Sequence, residues 1–188
     1  MFVIADPLGK DHDMADFLTD VKTLRENARK NIKKGPVTDS YGADLPKVLD
    51  VLNQSLATEL ICVLRYTQHH FAAKGLNAES VAAEFLEHAK EEQGHAEQIA
   101  ARISQLGGDA DFNPDTLSTR AHSEYETADT LTAMIKENLV AERVAISSYT
   151  EIIAWLGDGD PTTRRMLEEI LAVEEEHADD MANLLEKE

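Results

Sequence analysis

Glu91-Glu92-Gln93-Gly94-His95 is the stretch on which the reading of this chain turns. It sets a carboxylate, Glu92, three residues before an imidazole, His95. On a helix, side chains at i and i+3 leave the same face one turn apart. Steps of three and four outward from this pair give Ala78, Val81, Phe85, His88, Glu92, His95, Ile99 and Leu106. The pair therefore sits inside an apolar stripe, where an ionised group is costly unless it is paired or binds a metal. Near its end the chain repeats the arrangement with Leu167, Ile170, Glu174, His177, Met181 and Leu184.

Two more stripes each contain a lone glutamate. One reads Leu49, Leu52, Leu56, Glu59, Val63, Tyr66; the other reads Leu131, Ile135, Asn138, Glu142, Ala145, Tyr149, Ile152, Leu156. Four long helices are predicted to carry the four stripes. Asp44 caps the first, with Pro46 in its first turn, and Gly75 ends it. The second follows Asn77 and stops at Gly107-Gly108, and the third covers about 128–156, before Gly157. The fourth opens at Asp160-Pro161, a cap followed by proline at its favoured first helical position, and reaches about residue 186.

Connection lengths then give the topology. Helices one and two, and helices three and four, are joined by so few residues that each pair is an antiparallel hairpin. The stretch 108–127, which holds Pro114 and room for a short helical turn, spans up to about 65 Å at ~3.3 Å per residue. That exceeds the ~43 Å of a 29-residue helix, so the segment can run the length of the bundle. The expected fold is all-α: a four-helix bundle over 44–188 with one long crossover, built like a duplicated hairpin.

Residues 1–43 are expected to form an N-terminal extension, irregular and acidic over 1–13. An amphipathic helix from about Met14 to Lys34 follows, with the stripe Phe17, Val21, Leu24, Ala28 and Ile32, and Gly35-Pro36 opens a linker. Lys22, Arg25, Arg29, Lys30, Lys33 and Lys34 make this segment basic. Two readings stand open for it: a surface helix lying on the bundle or on a neighbouring subunit, or an arm that contacts DNA or another partner.

Composition narrows the classes of function. The chain has 188 residues, 43% of them apolar and 29% charged, which suits one domain with a sizeable core, or at most two small ones. A net charge of −18 repels phosphate, so nucleic acid is not expected as the main partner, whereas small cations are attracted. A single cysteine, Cys62, cannot form an internal disulfide. Neither a signal peptide nor a membrane span of ~18 apolar residues is recognisable, and a cytoplasmic protein is expected.

The four mid-helix glutamates carry the chemistry. Glu59, Glu92, Glu142 and Glu174 each lie near the middle of a helix and within its stripe, so they meet at one level of the bundle with His95 and His177. Four carboxylates in a dry core cannot all stay ionised by themselves. Two divalent cations would balance the four charges, whereas Arg143 and Lys90 lie off the stripes and cannot. A metal pair is therefore expected, with carboxylate and imidazole donors that suit iron or manganese; the lack of thiolates argues against zinc or iron–sulfur.

Glu59, Glu92-x-x-His95, Glu142 and Glu174-x-x-His177 resemble the di-iron carboxylate pattern of the ferritin-like superfamily, nearest to bacterioferritin and to Dps-like ferritins with a bacterioferritin-type centre. The resemblance covers about residues 44–187 and implies a ferritin-like four-helix bundle. It implies Glu92 and Glu174 as bridging ligands, Glu59 and Glu142 as terminal ligands, and His95 and His177 as one imidazole per iron. Tyr66 and Tyr149, each seven residues after a lone glutamate, would be phenols hydrogen-bonded to ligand carboxylates, or else ordinary core tyrosines. His88 is open as an accessory ligand or a hydrogen-bonded buried histidine, and Glu84, Glu87 and Glu91 as an iron-holding inner surface or a solvated face. His69-His70 is put down to solvent or helix capping.

Several positions depart from the family. Gln93 stands where bacterioferritin has its haem-ligating methionine, which argues against haem. Only about eleven residues follow His177, too few for the fifth helix of 24-subunit ferritins. Val144 stands where archaeal Dps-like members have a cysteine, and Cys62 alone does not replace the pair. The resemblance implies a ferroxidase and iron-storage protein with two irons per subunit, oxidising Fe(II) with O2 or H2O2 inside a homo-oligomeric shell, of 12 rather than 24 subunits. The alternatives are another di-metal peroxide-consuming enzyme, of manganese catalase or peroxidase type, and a non-catalytic DNA-protecting shell protein.

Overall fold

The computed structural model describes residues 19–75 and 78–186, and within these all regular structure is helical. The chain divides into two units, Met1–Asp39 and Ser40–Glu188.

In the first unit, helix α1 spans Val21–Lys30, and a 3-10 turn follows at Ile32–Lys34. Asp20 caps α1 by accepting from the Thr23 amide at 3.0 Å. That cap starts α1 at Val21, and Thr19 and Asp20 are not helical; the expected start at Met14 lies outside the described residues. Phe17 and the acidic stretch 1–13 lie outside the described residues. Val21, Leu24 and Ile32 are exposed, as are all six basic residues of the segment.

The second unit is an all-α four-helix bundle of α2 (Leu45–Ala72), α3 (Ala78–Gln105), α5 (Leu131–Leu156) and α6 (Pro161–Glu186). Helix α2 packs along α3, and α5 along α6. The crossover holds a 3-10 turn at Pro114–Thr116 and the single-turn helix α4, Leu117–Arg120. Helix α5 starts at Leu131, the first residue of its stripe, rather than at about 128, because Thr130 caps it by accepting from the Ala133 amide. The crossover is pinned along α2. Leu117 packs on Ala57 and Ile61, Asn53 Oδ1 accepts from the Asp111 amide at 2.8 Å, and Thr58 Oγ1 accepts from the His122 amide at 2.9 Å.

This cover explains why α2 is buried on more than one side. The stripe through Leu52, Leu56, Glu59 and Tyr66 faces the bundle axis, while Arg65 is enclosed as well, only 1% exposed. Its guanidinium donates to the Glu124 carbonyl of the crossover at 3.0 Å and to Asn138 Oδ1 at 3.1 Å. Sequence periodicity gave no sign of this buried cation, because the element that covers it is not part of any stripe.

One end of the bundle is tied by a single carboxylate. Asp160 is 2% exposed and caps α6 by accepting from the Thr163 amide at 2.9 Å. It also accepts from Arg102 of α3 through both oxygens, at 2.9 and 3.1 Å, and from the Tyr41 hydroxyl at 2.9 Å. Beside it the chain entering α2 meets the α5–α6 turn, where the Gly42 amide donates to the Gly159 carbonyl at 3.1 Å. A Cβ on Gly159 would stand 3.2 Å from the Ala43 nitrogen, so the close approach needs glycine.

Burial by itself would raise the Asp160 carboxyl, but hydrogen bonds from Thr163 and Tyr41 and the Arg102 charge hold it below its ordinary value of 3.8. A lowered folded-state value means that the stabilisation is complete above pH 3.8 and fades as pH falls through the folded value. Asp160→Ala should cost about 3–5 kcal/mol, since it strands the buried Arg102. Urea unfolding at pH 7 measures that loss, and the gap between variant and wild type should narrow in acid.

Candidate metal centre

The polar layer is built by four helices that each contribute one face. Glu59 comes from α2, Glu92 and His95 from α3, Glu142 from α5, and Glu174 and His177 from α6; the most exposed of the six is His95, at 5%. On one side of the layer lie Leu52, Leu56, Ile99, Ile103, Leu167 and Ile170, all buried. On the other, Tyr66, Val81, Phe85, Met134, Ile135 and Met181 form an apolar cluster. Apolar side chains thus close the layer at both ends.

The six groups sort into two sets around the two imidazoles. His95 Nδ1 stands 3.4 Å from Glu59 Oε2, 3.6 Å from Glu92 Oε2 and 2.9 Å from Glu174 Oε1. His177 Nδ1 stands 3.7 Å from Glu92 Oε1, 4.0 Å from Glu142 Oε2 and 3.7 Å from Glu174 Oε2. Glu92 and Glu174 therefore divide their oxygens, one to each set, while Glu59 and Glu142 belong to one set each. Within each set the donor atoms all lie within 4.8 Å of one another.

Hydrogen bonding does not account for this convergence. Glu59 Oε2, Glu92 Oε1, Glu142 Oε2, both Glu174 oxygens and Nδ1 of both histidines are buried without a hydrogen-bond partner. Leaving a charged group so costs more than the ~1–3 kcal/mol of a neutral one. Two carboxylate charges 4 Å apart repel by about 4 kcal/mol even at an effective dielectric of 20. Burial, followed by the charge of Glu92, lifts Glu59 to about 8, and burial with Glu92 and Glu174 raises Glu142 well above the usual range. Burial opposes charge on His95 and His177, yet the surrounding carboxylates, Glu174 foremost, push them up to about 12 and about 11. Orphaned lone pairs, three carboxylates and one imidazole per set, fit two divalent cations of the iron or manganese kind.

The outward atoms of the layer are held by neighbours. Tyr149 donates its hydroxyl to Glu59 Oε1, and Tyr66 donates its hydroxyl to Glu142 Oε1. The pairing crosses between the halves of the chain: each tyrosine shares a helix with one lone glutamate and bonds the other. His177 Nε2 lies 2.8 Å from Glu91 Oε2, so Nε2–H donates outward and Nδ1 is the nitrogen turned toward the centre. Spacing pointed only to an inner surface or a solvated face for Glu91; its closeness to His177 depends on the packing of α3 against α6.

His88 is buried, with Nδ1 3.2 Å from the Tyr66 hydroxyl and its ring stacked on His177 at 4.0 Å. His69 and His70 correct an expectation, since neither is given over to solvent or to capping. His69 is fully buried, with Nδ1 3.0 Å from Asn138 Oδ1, and His70 Nδ1 lies 2.6 Å from the Ala82 carbonyl. Cys62 is buried too, and desolvation followed by the Glu92 charge raises its thiol well above the ordinary range, so it stays protonated.

Fold and layer together define a helical bundle with a duplicated carboxylate–histidine centre. The family model for the ferritin-like domain matches residues 49–188, and the chain belongs to the ferritin-like family. The DNA protection during starvation protein of Pyrococcus furiosus is 33% identical over 146 residues, 75% of this chain and 78% of the relative. A dodecameric thioferritin, the bacterioferritin-related protein from Bacteroides fragilis, is similar in structure with a TM-score of 0.76. It is 31% identical, covering 85% of this chain and 94% of that one. The bacterioferritin of Desulfovibrio desulfuricans, whose di-iron site is known in different catalytic states, matches with a TM-score of 0.67 and 25% identity over 76% of this chain and 80% of that one.

Glu91→Ala should lower Co(II) affinity at the centre by about 10- to 100-fold, the usual effect of losing an outer partner of a ligating histidine. Anaerobic competition titration measures it, and unchanged affinity would show that the Glu91 contact does not orient His177.

Proposed function

We propose that this chain is a ferroxidase that stores or detoxifies iron. The observation that carries the reading is the division of Glu92 and Glu174, each with one oxygen toward His95 and one toward His177. Two carboxylates shared in this way suit a bridged pair of ions held at a fixed spacing. Glu92 and Glu174 would bridge, Glu59 and Glu142 would each bind one ion, and His95 and His177 would supply one imidazole apiece. Tyr66 and Tyr149 would hold the outer oxygens of the terminal glutamates and so aim their inner ones.

Two Fe(II) ions are the substrate, and each gives up one electron. With O2 as oxidant, two Fe(II) and two protons yield two Fe(III) and one H2O2; with H2O2, two protons are taken up and two waters form. The chain's own part is to gather the ions, fix their separation and exclude bulk water from the layer. Membership of the ferritin-like family supports this reading, as does the similarity to a bacterioferritin with a di-iron site. The low-polarity walls and a net charge of −18 would draw Fe(II) in and retain the Fe(III) product. We take the assembly to be a shell of twelve copies, by analogy with the dodecameric relative, and the compartment to be the cytoplasm.

Glu92→Ala and His177→Ala should each bring Fe(II) oxidation down to the rate of buffer alone while the helical circular dichroism signal is kept. Wild-type rates in both variants would end the ferroxidase reading. Light scattering of the purified protein should give a mass near twelve chains.

A second reading has one observation in its favour. The exposed basic side chains of 22–34 stand out from an otherwise acidic chain, and the relative from Nostoc sp., 30% identical over 173 residues, is named a nutrient stress-induced DNA-binding protein. A gel shift that persists in moderate salt and disappears when residues 1–35 are removed would support DNA contact by this segment. The acidic remainder argues for no shift.

A further inference from the structure

Outside the duplicated centre, a third group of donors converges from α3 and α6. His88 Nε2 stands 3.6 Å from Glu84 Oε1 and 3.6 Å from Asp180 Oδ2. Both distances are too long for hydrogen bonds, and Nε2 makes none among the described residues. The His88 side chain is 2% exposed, and its Nε2, which makes no hydrogen bond, is aimed between two carboxylates.

The tautomer of His88 follows from the bonds behind it. Tyr66 has one proton and donates it to Glu142. Its oxygen therefore acts as acceptor toward His88 Nδ1, 3.2 Å away, and that nitrogen carries the hydrogen. Nε2 is left with a bare lone pair facing the lone pairs of two carboxylates. Acceptors gathered in this way repel unless a cation joins them. Glu84 is itself raised by burial and by the charges of Asp180, Glu87 and Glu91, a further sign of unbalanced negative charge at this spot.

We propose that Glu84, His88 and Asp180 form a third divalent-cation site, a loading position from which ions pass to the buried pair. One imidazole and two carboxylates are a common donor set for such an ion. Their donor atoms lie within 4.8 Å of one another. The site opens outward and closes inward: the Glu84 and Asp180 side chains are 37% and 41% exposed, whereas His88 is buried against His177. A hydrated ion can therefore meet the carboxylates first and exchange water for Nε2 as it moves inward. The assignment of donors stands without the ferroxidase reading; only the loading role rests on it.

Anomalous diffraction from crystals of the full-length protein soaked anaerobically in Co(II) tests the proposal. A peak is expected within bonding distance of His88 Nε2, Glu84 and Asp180, and E84Q/D180N should lose it while keeping the peaks at His95 and His177. A filled pair with no peak at His88, or a peak that survives in E84Q/D180N, overturns the third site. A peak at His88 with none at the pair supports the third site and overturns the dinuclear reading instead. In stopped-flow at limiting Fe(II), E84Q/D180N should slow oxidation several-fold, with the wild-type rate recovered at high Fe(II). Equal rates at limiting Fe(II) overturn the loading role.

Discussion

Repulsion among four buried carboxylates is the constraint on which the rest of this structure depends. A layer of Glu59, Glu92, Glu142 and Glu174 cuts across an apolar bundle, and most of the remaining stripe positions are apolar, which keeps it dry. Dryness is what makes the layer useful. In water the same side chains would hold divalent ions weakly and at no fixed distance, while in a low-dielectric interior each unpaired oxygen gains strongly from a cation. The stability of the bundle and the affinity of the centre therefore oppose each other, and the apolar clusters at either end offset the cost.

Second to this is the control of where protons sit. Each terminal glutamate has one oxygen occupied by a tyrosine, which leaves the other aimed at the centre. Glu91 fixes the His177 hydrogen on Nε2, and Tyr66 fixes the His88 hydrogen on Nδ1. Arg65 lies close by yet bonds Asn138 and the Glu124 carbonyl rather than any of the four carboxylates. An arginine within reach would have offset one of the four carboxylate charges. Its diversion to the crossover leaves the two imidazoles as the only protein cations, among the described residues, placed between the four carboxylates.

Helical periodicity made much of this legible in the sequence. A repeat of three and four decides which side chains share a face, so Glu92, His95, Glu174 and His177 could be assigned to core stripes from their neighbours alone. Short connections after Gly75 and Gly157 decided that the helices pair as hairpins, and the long stretch after Gly107 decided the crossover. The convergence of the six side chains followed, because four mid-helix positions in a four-helix bundle meet at one height. Local capping fixed the starts: Asp20 caps α1 at Val21, and Thr130 caps α5 at Leu131.

What no stripe contains is the identity of the partner across a helix interface. The crossed tyrosine pairs, the tie from Glu91 to His177, the burial of Arg65 beneath the crossover and the enclosure of His69 all depend on the rotation and height of one helix against another. Those are set by packing over the whole length of the bundle, a sum of many small contacts that one-dimensional spacing does not encode. So the sequence determined that charge would be buried and on which faces; the tertiary structure alone decided which oxygen meets which nitrogen, because a hydrogen bond or a metal site is lost over an ångström and periodicity resolves only a turn.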